Sequence, residues 1–226
     1  MGTLYLVRHG QASFGADDYD QLSVLGRRQA RCLGAYWRER HGAAFCFDAV
    51  LTGTLQRQIQ TWEEMAAGAG WSGVPHVSWP GLNEYDGHAV LRALDPDFDF
   101  TVDSPERRRD YFRALRRGLT AWMRAETRPD GMPSYADFVH GVVGALAHVR
   151  THFSGNVALV ASGGPITTAV GHVLSAPPEA TIEMNLFYRN SAVTEMTFTP
   201  KRFNLLSYNA LPHLDAEAYR DWVTFA

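Results

Sequence analysis

Cysteine is scarce: Cys32 and Cys46 are the only two in 226 residues, and they show neither CxxC spacing nor a disulfide framework. That usage fits a reducing compartment. Lysine is scarcer still, with Lys201 standing against twenty arginines. The bias reads as genomic composition rather than function, although it supplies many potential oxyanion binders. No eighteen apolar residues stand together, and the first twenty hold no basic segment followed by a long apolar run and a small-residue cleavage site. A membrane span and a secretory leader are therefore not expected, and the chain reads as cytoplasmic. The net charge of −3 argues against a general nucleic-acid or anionic-membrane partner. No internal repeat and no low-complexity tract is present. What remains is an ordinary globular composition, 46% hydrophobic, long enough to bury a sizeable core.

Strand-like and helix-like segments alternate along the chain, which points to a layered α/β fold with parallel strands. The organising stretch is Leu4-Tyr5-Leu6-Val7-Arg8-His9-Gly10. A short apolar run ends at an arginine, a histidine and a glycine, where a buried parallel strand would reach the surface. Ligands of open α/β sheets bind outside the carboxyl ends of strands, so Arg8 and His9 are expected at the lip of a crevice, with Gly10 letting the backbone approach a bound group. The guanidinium presents parallel donors to phosphate oxygens, and a neutral imidazole nitrogen is a competent nucleophile toward phosphorus. The bland reading of the same tripeptide is a strand ending in two polar surface residues.

The polar loop Gln11 to Gln21 is expected over the mouth of the site, and Ser23 is a plausible cap for a helix ending near His41-Gly42. Ala49 to Thr52 reads as a second buried strand, and the helix after it carries Arg57 in its first turns, able to turn back toward His9. Val77-Ser78-Trp79 is a third strand, followed by a loop with Glu84 and Asp86. Either carboxyl group there suits the protonation of a leaving alcohol and the later deprotonation of water, and position alone does not choose between them. From about Ala89 to Ser134 the alternation stops, which is read as an insertion packing over one side of the sheet. Within it Arg109, Arg113, Arg116 and Arg117 recur at helical spacing, as a basic face toward an anionic substrate or as a solvated helix face. His148 and His152, four residues apart, lack an acidic third ligand, and a helix dipole explains them better than a metal.

Asn156 to Ala161 is the clearest strand after the first. It runs into Ser162-Gly163-Gly164-Pro165 and a helix over Ile166 to Leu174, with Ser162 able to cap. Backbone N–H groups at such a turn favour an oxyanion, although the turn is neither a P-loop nor a dinucleotide fingerprint. Leu186 to Asn190, Ala192 to Phe198 and Phe203 to Tyr208 read as further strands, an antiparallel edge. Asn209 to His213 forms a closing loop.

Together these motifs resemble the histidine phosphatase superfamily, the phosphoglycerate mutase-like proteins, nearly end to end. The resemblance rests on LVRHG, on Leu22-Ser23-Val24-Leu25-Gly26 with Gln29-Ala30, and on Leu55-x-Arg57-x-x-x-Thr61. It continues through Leu82-Asn83-Glu84, the strand into Gly163-Gly164-Pro165-Ile166, and Asn190, Asn209 and His213-Leu214. It implies a single domain over 1–226, a three-layer α/β/α sandwich around a mostly parallel sheet, with a helical insertion at about 89–134 shaping the substrate pocket. It implies further that His9 is a nucleophile passing through phosphohistidine and that Arg8 and Arg57 clamp the phosphoryl oxygens. Glu84 becomes the proton donor, Ser162 and Gly163 complete the phosphate site, and no metal or cofactor is needed.

One departure matters. Where members of the superfamily usually carry a second histidine before the paired glycines, this chain has Ser162. A serine donates one hydrogen bond but brings no positive charge, and losing a well-placed donor costs about 10²–10³ in turnover. His88, His140 and His172 are the candidates for filling the gap. The leading expectation is a metal-independent phosphomonoesterase acting on a small phosphorylated substrate or a phosphoprotein. The contrasting one is a non-catalytic phosphate- or phosphoprotein-binding module that lost turnover with the second histidine. A mutase ranks behind both, because the loop after Gly10 lacks the longer Trp- and Asn-containing pattern of the mutases it resembles. A homodimer is the default assembly for a chain of this size.

Overall fold

The computed structural model describes residues 1–13 and 20–225, so most of the loop expected over the site, residues 14–19, lies outside the described residues. The strands and α-helices in order are β1 (Gly2–Arg8), α1 (Val24–His41), β2 (Ala49–Thr52), α2 (Gln56–Ala69), β3 (His76–Ser78), α3 (Gly87–Leu94) and α4 (Pro105–Met123). They continue with α5 (Tyr135–His152), β4 (Asn156–Ala161), α6 (Gly163–Leu174), α7 (Pro178–Leu186), β5 (Val193–Phe198) and β6 (Phe203–Ala210). One six-stranded sheet has the order β3-β2-β4-β1-β5-β6. β3, β2, β4 and β1 run parallel, and β5 and β6 add the expected antiparallel edge. None of the described helices is long and apolar enough to cross a membrane.

The strand period of two builds the layers. Tyr5 and Val7 of β1 face a cluster with Ala30, Leu33 and Trp37 of α1 and Met65 of α2. Leu4 and Leu6 face the other way, onto Val142 and Leu146 of α5 and Ile166 and Val170 of α6. Both faces of the central strands are thus covered, as parallel strands require. Each fully buried aliphatic side chain here contributes about 1.5–3 kcal/mol relative to exposure.

The helix starts follow their caps. The Ser23 hydroxyl accepts the Gly26 N–H at 3.0 Å, and Ser104 and Ser134 cap α4 and α5 in the same way. α4 stops at Met123, where the chain leaves the helix through Ala125 at φ 58.

Two readings need correction. Leu186 to Asn190 is not a strand: Pro177-Pro178 opens α7, with Pro178 at its first position and Glu179 in the first turn, and the chain after Leu186 is irregular. Ser162 sits at the N-cap position of α6, but its side chain makes no capping bond. Gly10 is required by packing, since a Cβ there would lie 2.3 Å from the Gly26 carbonyl oxygen of α1.

Candidate active site

The register of the two central parallel strands places the site. Arg8 pairs with Ala161, so His9 follows β1 beside the turn that follows β4, and the His9 N–H donates to the Ala161 carbonyl at 2.9 Å. On the other side the His9 carbonyl accepts Ser191 N–H at 3.2 Å and Asn190 Nδ2 at 3.4 Å. Gly10 N–H donates to Thr61 Oγ1 at 3.1 Å. Thr61 lies one turn after Arg57, so one face of α2 both fixes the loop after His9 and delivers Arg57 to it.

A cavity of about 660 Å³ opens at this strand end, with Arg8, His9, Arg57 and Glu84 among its lining. Arg8, His9 and Arg57 are only 5%, 4% and 8% exposed, which makes them the floor rather than the rim. Arg8 is held by a hydrogen bond to the Tyr188 carbonyl. Arg57 donates Nη1–H to Asp20 at 2.7 Å, while Asp20 also accepts the Gln56 N–H at 2.9 Å. Asp20 thus steadies the guanidinium from outside.

The hydrogen bonds of His9 define its tautomer. Nδ1 lies 2.7 Å from the Gly10 carbonyl oxygen, which can only accept, so the proton sits on Nδ1. Nε2 then carries a lone pair, which accepts Arg57 Nε–H at 3.3 Å. Burial, then the Arg8 and Arg57 charges, push the imidazole well below its ordinary range. It is therefore neutral and nucleophilic in the resting state.

Glu84 reaches the same cavity from the loop after the 3-10 turn Pro80–Leu82. Gly164 N–H, in the first turn of α6, donates to both carboxylate oxygens at 3.1 Å. Gly164 must be glycine for this approach, because a Cβ would stand 2.1 Å from Glu84 Oε1. Burial raises the Glu84 pKa, and it outweighs the Gly164 hydrogen bond and the two arginines, which lower it. Asp86 instead spends its carboxylate capping α3, accepting His88 N–H at 2.8 Å and Ala89 N–H at 3.1 Å. Both carboxylates line the cavity, and the contacts distinguish them: the Gly164 N–H holds Glu84, whereas Asp86 caps α3.

The structure does not bring every candidate to the cavity. Ser162 is wholly buried, its hydroxyl accepts Gln58 Nε2–H at 3.0 Å, and it is not a lining residue. Gly163 lies close to Arg8, within 3.8 Å of Arg8 Nε as measured from where its Cβ would be, and also stays behind the lining. Of the three histidines considered for the gap, His88 lines the cavity, whereas His140 and His172 are exposed on α5 and in the last turn of α6.

The arginine row faces away. Arg109, Arg113 and Arg116 pair with Glu106, Asp110 and Glu183, Arg117 lies beside a separate hollow, and α4 presents Tyr111, Phe112 and Leu115 to the cavity instead. His148 and His152 stack on each other at 4.1 Å. Among the described residues no three His, Cys, Asp or Glu side chains are grouped to hold a metal ion.

Asn185 of α7 was not foreseen. It lines the cavity and donates Nδ2–H to the Tyr85 hydroxyl at 2.7 Å. The helix signal of Pro178 and Glu179 could have placed it on α7, but not at the site.

The family model for the histidine phosphatase superfamily, branch 1, matches residues 4–211. The chain belongs to that superfamily. Membership makes it a protein of the phosphatase or phosphoryl-transfer kind.

Among solved structures it is similar to YhfR of Bacillus stearothermophilus, at 19% identity and a TM-score of 0.68, over 94% of this chain and 99% of that one. A mycobacterial glucosyl-3-phosphoglycerate phosphatase matches at 21% identity and 0.62, over 93% and 99%. A phosphoglycerate mutase of Bacillus anthracis matches at 18% and 0.64, over 94% of each. At these identities the structures establish the shared fold. Comparison with curated proteins found no match.

His213, part of the motif set, lies behind the site rather than in it. Its Nε2 is 2.9 Å from the hydroxyl of Ser191, the residue whose N–H holds the His9 carbonyl. Burial lowers its pKa from 6.5 to about 3. Between those values the unfolded chain binds a proton that the folded chain does not, so stability is present above about pH 6.5 and lost as pH falls toward 3. The slope from this one group is at most about 1.4 kcal/mol per pH unit. Melting temperatures measured from pH 7 to 4 are expected to fall less steeply in His213→Gln than in the native chain. Parallel curves would show that His213 does not control acid stability.

Proposed function

We propose that the chain is a phosphomonoesterase that works through a phosphohistidine on His9 without a metal ion. The observation that carries the reading is a buried neutral imidazole, with its free nitrogen beside a guanidinium, sharing one cavity with a second arginine and a carboxyl group of raised pKa.

In the first step the Nε2 lone pair forms the N–P bond as the P–O bond to the leaving alcohol breaks, and Glu84 gives its proton to that oxygen. The Nδ1–H of the now cationic ring donates to the Gly10 carbonyl. In the second step water attacks phosphorus, Glu84 takes the water's proton, the N–P bond breaks, and neutral His9 and phosphate are released. Arg8 and Arg57 spread charge from the equatorial oxygens, with Arg57 turning its donor from Nε2 to the phosphoryl group.

The opposite pKa shifts support this assignment. At the ordinary values of 6.5 and 4.5, neutral histidine with protonated glutamic acid is the minor state. Lowering the first and raising the second favours that pairing.

Hydrolysis of an aryl phosphate is expected to be unchanged by a strong chelator. Loss of activity that a divalent cation restores would contradict the metal-free assignment. The buried, Gln58-bound Ser162 favours the alternative of a phosphate-binding module, and phosphate affinity without turnover in this assay would establish it.

A further inference from the structure

The cavity changes character away from its floor. Phe100, Tyr111, Phe112, Leu115 and Leu186 form its walls. These rings are braced. Phe100 lies 4.4 Å from the His88 ring and 5.2 Å from Phe98, with the Arg92 guanidinium 5.1 Å from its centroid. Tyr111 packs on Phe98 at 6.2 Å and on Phe112 at 5.6 Å. α4 is tied to α7 by the Arg116–Glu183 and Arg124–Glu179 pairs. A wall fixed in this way presents apolar area at little ordering cost.

Charge in the cavity is divided. Among the described lining residues the permanent cations are Arg8 and Arg57, both on the floor. The outer part contains the Asp86 carboxylate and the His88 imidazole, which stands against Phe100. A second carboxylate or phosphate on a substrate would lose water there, against aromatic rings and a like charge, and among the described lining residues no guanidinium beyond Arg8 and Arg57 would receive it, Arg92 lying over the Phe100 ring outside the lining. The volume of about 660 Å³ is typical of a small-molecule pocket and leaves ample room beyond a phosphoryl group.

We infer that the site selects phosphate monoesters whose alcohol part is aromatic or otherwise apolar and bears no second anion. The inference rests on the phosphatase reading, and it concerns the walls rather than the floor.

The test compares 2-phenylethyl phosphate with 3-carboxypropyl phosphate at pH 7.5, with His9→Ala as the background. Both are primary alkyl esters, so intrinsic reactivity is similar and the contrast lies in the group that meets the walls. The phenylethyl ester is expected to show a kcat/KM at least about tenfold higher, within the range that apolar pocket contacts supply. Phe100→Ala, confirmed folded by its melting curve, is expected to cut that ratio to about threefold or less, mainly through KM.

Equal rates, or preference for the carboxylated ester, with both above background would overturn the substrate class and leave the phosphatase reading intact. An unchanged ratio in folded Phe100→Ala would overturn the assignment of selectivity to this wall. Failure to hydrolyse either ester above background would overturn the phosphatase reading and the inference with it.

Discussion

Replacing His9 by alanine is expected to lower kcat for an aryl phosphate by roughly 10⁴–10⁶, the scale on which removing a covalent nucleophile acts. The reason is specific to the geometry. Nδ1 is committed to the Gly10 carbonyl, so Nε2 is the one lone pair of the ring left for chemistry; Arg57 donates to it, and Arg8 lines the same cavity. Alanine leaves the clamp in place but removes the atom that forms the N–P bond. Phosphate affinity should therefore survive while turnover does not. The assay needs native and variant chains prepared identically, because a trace contaminating phosphatase sets the measurable floor. Indistinguishable rates would mean that catalysis on this substrate does not come from His9.

Glu84→Gln is expected to lower kcat by about 10²–10⁴ for an alkyl ester, whose leaving oxygen needs a proton, and by less for an aryl ester, whose phenolate leaves more easily. Glutamine keeps an oxygen to accept the Gly164 N–H, so the loop is not left with an empty partner. The pH profile supplies a second readout. With Glu84 raised, its protonated form persists to higher pH than an ordinary carboxyl group allows, and with His9 lowered, the neutral nucleophile persists to lower pH. For the alkyl ester kcat/KM should thus decline as pH rises through the Glu84 titration, and Glu84→Gln should remove that decline. A Gln variant with the native profile and equal losses on both esters would assign the proton transfer to another group.

Local signals were readable from residue order, and contacts between distant segments were not. β1, β2 and β4 were legible because each is a short apolar run bounded by turn residues, and Ser23 because its capping bond is local. The approach of Arg57 to His9 followed from a helix starting directly after a strand. Helical spacing placed Arg109, Arg113 and Arg116 on one face but could not say which way it turns, and it turns to solvent. Glu84 and Asp86 are alike locally, and what separates them is the Gly164 N–H, eighty residues away in the chain. Ser162 was read as a cap and a phosphate contact because its position suits both. Gln58, from another helix, donates to its hydroxyl, and no capping bond forms. The aromatic wall is likewise assembled from separate segments, α3, α4, α7 and the loop carrying Phe100, so no single stretch announces it.

The most direct test of the central claim is to trap the covalent intermediate. The native chain, mixed with a substrate carrying labelled phosphorus and quenched in alkali within the first turnovers, should hold label that acid releases, as expected for a phosphoramidate. Peptide mapping should place the label on the fragment containing His9, and His9→Ala should carry none. Turnover with no protein-bound label at any quench time, or label on another residue, would contradict the claim that His9 is the phosphoryl acceptor.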